Sequence, residues 1–188
     1  MQMLTAVGIP PVTDHARPAD QSNPRGYFET ERVKTLGRDA EWLAELKGRC
    51  IKIVIPLLPF LPAGLPAKVL VVWRELSEVV ASQQQMLQAL NAPGSVDPPA
   101  LEAFFRRQYA DVMADIRQRT GVEVLEVQHA KLVGGDAREI EKIVHFLELG
   151  ADQAEVMAGC IDTRLYRQQR DRLRPSGPGS ARLPTSRT

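Results

Sequence analysis

The chain has 188 residues, 44% of them hydrophobic and 5% aromatic, and a formal net charge of +1. That length allows one sizeable core and one domain, and so balanced a charge does not by itself point to any partner. No apolar run approaches the roughly 20 residues of a membrane span, and no basic region followed by an apolar core marks a secretory signal.

The two cysteines, Cys50 and Cys160, have neither the number of a disulfide framework nor the spacing of metal ligands. Together these features predict a soluble cytoplasmic protein with reduced thiols and no metal. Charge is unevenly placed along the chain: residues 164–188 carry +6 and residues 1–163 carry −5. The division predicted is a folded domain over 1–163 and a basic tail over 164–188. Its Pro-, Gly-, Ser- and Arg-rich end from Pro175 onward is expected to be disordered and to contribute little to stability.

In chain order, Met1 to Val7 is an apolar helical fragment closed by Gly8 and Pro10-Pro11. Thr13 to Gly26 is a polar, turn-rich loop. Tyr27 and Phe28 would anchor it, and Asp14, His15, Arg17 and Arg25 are candidates for the mouth of a site. Each is, taken singly, more ordinary as a surface residue. Glu29 to Leu46 reads as two short helices interrupted near Gly37. Arg49 to Pro56 reads as a buried strand in which Lys52 is the exception, and Pro56 to Pro66 as a rigid crossover that cannot continue a strand.

Lys68 to Trp73 is a β-branched run without a polar face, as a strand covered on both sides requires. Ser77 is an expected N-cap and Glu78 sits in the first turn of the helix that follows. Val79, Val80, Met86, Leu87 and Leu90 form its apolar face. Arg74 stands directly off the strand, and Ser82 lies about a turn and a half into the helix, leaning back toward its start. Both can face one spot above the carboxyl edge of a parallel sheet, where a guanidinium, a hydroxyl and a helix N-terminus suit a phosphate. The ordinary alternatives are an arginine paired with a carboxylate and a serine facing water.

Asp97 caps the next predicted helix, with Pro98-Pro99 at its start. Leu101, Phe104, Phe105, Gln108, Val112 and Ile116 make its inward stripe. Val122 to Val127 alternates as a strand nearer the sheet edge, and Asp136 with Glu139 makes a box-like start to the helix over Ala137 to Leu149. Ala151 to Cys160 reads as a last short helix.

Arg74-Glu-Leu-Ser-Glu-Val-Val-Ala-Ser82 resembles the 3′-phosphate-binding segment of the sulfotransferase family: an Arg, an acidic-Val pair, and a Ser eight residues after the Arg. Ile51-Lys-Ile-Val-Ile-Pro56 with Leu57-Leu58-Pro59 is similar to that family's Ile-Lys-Ser/Thr-His-Leu-Pro segment. Asn23 to Glu29 resembles a segment of bacterial sulfotransferase-like proteins, and Leu132, Asp136, Ile140, Ile143, Phe146 and Leu147 follow the pattern of the family's C-terminal region. His129, Ala130 and Lys131 replace its Tyr-Glu-Asp.

The resemblance implies an α/β fold, a three-layer parallel sheet of the P-loop kind. It implies transfer of a sulfuryl group from 3′-phosphoadenylyl sulfate to a hydroxyl or amine of a small-molecule acceptor, without a metal. Arg74 and Ser82 would hold the 3′-phosphate, and Lys52 would balance charge in the transition state. Two departures matter. Val54 stands where the cytosolic enzymes place a catalytic histidine, and valine takes no proton. The 188 residues contain no Pro-Arg-Ser-Gly-Thr type loop to hold the 5′-phosphosulfate. The expectation is therefore a poor or inactive enzyme as written, its incomplete sheet prone to self-association. The rival reading is a non-catalytic relative that keeps the fold and a weak nucleotide site. Nucleic-acid binding through the basic tail ranks last, since Tyr166 is its one aromatic.

Overall fold

The structure, a computed structural model, describes residues 1–19, 23, 25–89 and 97–162. Its elements are α1 (Gln2–Ala6), β1 (Ala67–Trp73), α2 (Leu76–Ala89), α3 (Pro98–Arg117), β2 (Val122–Gln128), α4 (His129–Val133), α5 (Ala137–Phe146) and α6 (Gln153–Ala158), with 3-10 turns at Glu31–Thr35, Glu41–Leu46 and Ile55–Phe60. The expectations for Leu90 and for the basic tail from Arg164 onward lie outside the described residues.

Among the described residues the sheet has two strands. β1 and β2 run parallel, with Ala67 opposite Val122 and Trp73 opposite Gln128. A parallel pair needs a long crossover, which here contains α2 and α3. Successive strand side chains point to opposite faces. Accordingly Val69, Val122 and Val124 join one apolar cluster with Trp42, Leu58, Val112 and Ile116, while Leu70, Leu125 and Val127 join another with Leu132, Ile140, Ile143 and Met157. Cover on both faces explains why β1 lacks a polar face. The chain is thus a mixture of helix and strand around a small parallel sheet.

The strand expected over Arg49 to Pro56 does not form. Cys50 makes an isolated parallel bridge to Pro11, and the chain turns into a 3-10 helix at Ile55 that carries Pro59 inside it. Ile51, Ile53 and Ile55 pack on the first cluster by their side chains. Among the described residues no strand pairs with this segment, and Pro56 and Pro59 have no N–H to donate to a ladder.

The helix starts follow local chemistry. Asp97 accepts a hydrogen bond from the Ala100 N–H behind Pro98, as expected of an N-cap contributing about 1 kcal/mol. α2 opens two residues earlier than predicted, at Leu76, which puts Ser77 inside its first turn rather than at the cap. The inward stripe of α3 follows the expectation at Val112 and Ile116, which are buried together with Met113, and at Leu101, Phe105 and Gln108, which are half-buried, whereas Phe104 is 58% exposed. Arg119, just beyond α3, donates to the carbonyl oxygens of Pro59 and Leu61, both at 2.6 Å. It thereby ties the Pro-rich crossover to the end of the helix. No helix among the described residues is long and apolar enough to cross a membrane.

Candidate functional site

The carboxyl ends of β1 and β2 bring together residues from both strands and from the helices they feed. Two hollows open there. The smaller, about 110 Å³, is lined by Trp73, Arg74, Glu75, Glu78, Gln128 and Ala130. The larger, about 290 Å³, takes Val72, His129, Leu132, Val133 and Ile161 into its wall, with Gln2, Arg25 and Asp162 at its polar side. Neighbouring residues of the same strand ends therefore line the two: Val72 and His129 the larger, Trp73, Arg74 and Gln128 the smaller.

Arg74 is where the spacing put it, immediately off β1 and partly buried. Its Nε donates to Glu78 Oε2 at 2.9 Å, one turn into α2. Glu78 is buried, so the guanidinium answers a carboxylate that water does not reach. The small hollow thus holds one cation and two carboxylates, Glu75 included. Ser82 lies one further turn along α2, half-buried, and lines neither hollow. Arg74 and Ser82 therefore do not share the wall of either hollow.

Lys52 lines neither hollow. Its Nζ donates to Glu29 Oε1 at 2.7 Å and lies 3.5 Å from the Tyr27 carbonyl oxygen. Arg17 stacks over the Tyr27 ring at 3.4 Å and reaches Glu29 at 3.8 Å. Between Tyr27 and Glu29, Phe28 holds a left-handed backbone conformation, with φ of 51°, so this turn is strained. Val54 is 54% exposed. Asp14 accepts from the Ala16 and Glu31 N–H groups, and those hydrogen bonds hold its carboxyl below the usual range. That is a loop-building role. Arg25 bridges three segments, donating to Gln2 Oε1, to the Cys160 carbonyl oxygen and to Asp162.

Sequence reasoning passed over the site's two most constrained side chains. His129 begins α4, directly after β2. Burial first, and then the positive Arg74, hold its imidazole below the ordinary histidine range, with Glu78 opposing. A titratable residue at the very end of a strand was the signal available. Glu139 is buried and accepts from the Gln128 N–H at 3.2 Å and from Lys142 at 2.6 Å. It therefore staples the end of β2 to α5 instead of closing a capping box on Asp136, whose own side chain accepts from the Arg138 N–H. An ordinary Glu-to-Lys spacing on a helix gave no sign of this.

Lys142, and then the Gln128 N–H, hold the Glu139 carboxyl below its usual range against the opposing effect of burial. A depressed folded-state pKa contributes stability above the unfolded value, near 4.5, and that contribution is lost as pH falls through the folded value. Glu139→Gln is expected to flatten the acid limb of a stability profile measured between pH 6 and pH 3. Profiles that run parallel for both proteins below pH 4.5 would contradict the assignment.

No family model, no curated protein and no solved structure matches the chain. Among the described residues no group of three or more His, Cys, Asp or Glu side chains could hold a metal ion. The chemistry on offer around the two hollows is that of the Arg74 and Arg25 guanidiniums, the His129 imidazole and the Glu75, Glu78 and Asp162 carboxylates.

Proposed function

We propose that this chain is a sulfotransferase-like protein of the P-loop α/β kind, in which the carboxyl edge of the parallel sheet receives the 3′-phosphate of an adenine nucleotide at Arg74. The observation that carries the reading is the position of Arg74: first residue after a parallel strand, partly buried, and separated by Glu75 alone from the 14-residue helix α2. Ligands of open α/β folds bind at such an edge, and an arginine fork suits a phosphate. On this reading a sulfuryl group passes from 3′-phosphoadenylyl sulfate to a hydroxyl or amine acceptor, with Lys52 balancing charge on the transferring group.

A second reading, a non-catalytic relative with a weak nucleotide site, is favoured by the pairing itself. Arg74 is engaged by Glu78, Lys52 by Glu29, and Ser82 lines neither hollow. An incoming phosphate must compete with Glu78 for the same guanidinium. Titration calorimetry separates the possibilities. Adenosine 3′,5′-bisphosphate is expected to bind at least tenfold more tightly than adenosine 5′-monophosphate, and Arg74→Lys, which keeps the charge but loses the fork, to remove most of the difference. Equal affinities for the two nucleotides would overturn the phosphate assignment. With labelled donor, turnover in the presence of hydroxyl acceptors supports the enzymatic reading, and tight binding without turnover supports the second.

A further inference from the structure

We propose that the outer edge of β1 is a docking surface for a second copy of this chain, whose own β1 pairs with it antiparallel about a twofold axis at Leu70. The inference does not rest on the nucleotide reading, which concerns the carboxyl ends of the strands and not their edge.

The hydrogen bonding of the sheet leads to that edge. The Ala67 N–H donates to the Gly121 carbonyl oxygen at 3.0 Å, and bonds along a parallel ladder leave each strand at every second residue. Ala67, Val69, Val71 and Trp73 therefore turn their backbone groups toward β2, and Lys68, Leu70 and Val72 turn theirs away from it. Among the described residues no N–H or C=O of those three has a hydrogen-bond partner. The far edge of β2 differs. Its first N–H, on Val122, donates to the Arg119 carbonyl oxygen, and its last, on Gln128, donates to Glu139.

Edge strands that stay single are blunted by prolines, bulges or charges. β1 keeps an unbroken register from Ala67 to Trp73 and contains no proline. Its one charge, on Lys68, is drawn to the Phe146 carbonyl oxygen and to Glu148. At the other end of the edge Val72 is 49% exposed.

Two features select a second copy as the occupant. The edge is complementary to itself: directly opposed residues of an antiparallel pair exchange both of their hydrogen bonds. With Leu70 on the axis, each Leu70 meets its counterpart and each Lys68 meets Val72 of the second copy, so every outward N–H and C=O of both edges is paired. The same patch then serves both copies, as closed twofold dimers require. The formal net charge is +1, so two copies repel each other little, and a charge so near zero promotes association.

The test is sedimentation of the full chain over rising concentration, with a monomer–dimer equilibrium expected. Val72→Lys sets a second cation opposite Lys68 of the other copy at both ends of the new ladder, and Val72→Glu sets an anion there. The Glu variant is expected to dimerise about tenfold more tightly than the Lys variant. Amide exchange on the unsubstituted chain is expected to slow at Leu70 and Val72 as concentration rises, while Val71, bonded within the sheet, stays unchanged. That measurement decides by itself if either variant unfolds. A chain still monomeric at about 1 mM, equal dimerisation by two folded Val72 variants, or exchange at Leu70 and Val72 that ignores concentration would overturn the proposal.

Discussion

Replacing Arg74 by alanine is expected to cost about 3–5 kcal/mol of folding stability, the penalty for stripping a buried carboxylate of its ion-pair partner. Glu78 is buried at the first turn of α2, and the guanidinium sits 2.9 Å away. An exposed pair such as Arg107 with Asp111 should contribute well under 1 kcal/mol by comparison. Most of the Arg74 penalty belongs to the carboxylate left behind, so Arg74→Leu combined with Glu78→Leu should recover the larger part of it. Equilibrium denaturation of both variants is the measurement. A loss below about 1 kcal/mol in the single variant would mean that Glu78 does not depend on Arg74. The result also bears on function, because a guanidinium that the fold needs this much is costly to lend to a phosphate.

The second large effect is in the core. Ile116 is fully buried, at 0% exposure, where α3 meets the Pro-rich crossover and the strands. Ile116→Ala should cost about 2–5 kcal/mol, the lost transfer energy plus that of the cavity left behind. Phe104, one of the residues the periodicity placed on the same stripe, is exposed, and Phe104→Ala should stay within about 0.5 kcal/mol. Comparable losses for the two variants in denaturant titrations would mean that α3 is rotated from the orientation described.

That contrast indicates what the sequence could reveal. β1, β2 and the starts of α3 and α5 were legible because each is dictated locally: an unbroken β-branched run, an alternating run, an Asp before prolines, an Asp at a turn. The segment at Ile51 was misread because strand propensity records a side chain's fit to a pleated, half-buried surface. Ile51 and Ile53 obtain that burial without a ladder. The place of Phe104 outside the buried stripe of α3 was not legible either, since Phe104, Phe105 and Tyr109 offer two overlapping apolar stripes. The choice rests on tertiary partners: the Tyr109 ring lies against Trp73, tilted by 58° with centroids 4.6 Å apart, and its hydroxyl hydrogen-bonds Glu126.

The position of Arg74 was legible because it follows from the end of a strand. Its pairing with Glu78 was one of two readings that spacing alone left open. Glu139 and His129 take their meaning from contacts across α4 and β2, which no periodicity records.

The register of the sheet has a kinetic side. Ala67 pairs with Val122 and Trp73 with Gln128, so every rung joins residues 55 apart in the chain. No tight turn can start such a ladder. The chain between must be gathered first, and its ends lose their freedom before a single rung forms. Helices α2 and α3, which are stabilised by local contacts, shorten that span while the strands are still apart. Pairing the two strands that shape the candidate site is thus a long-range step of folding, and Arg74 and His129, one just beyond the end of each strand, are brought near each other by it.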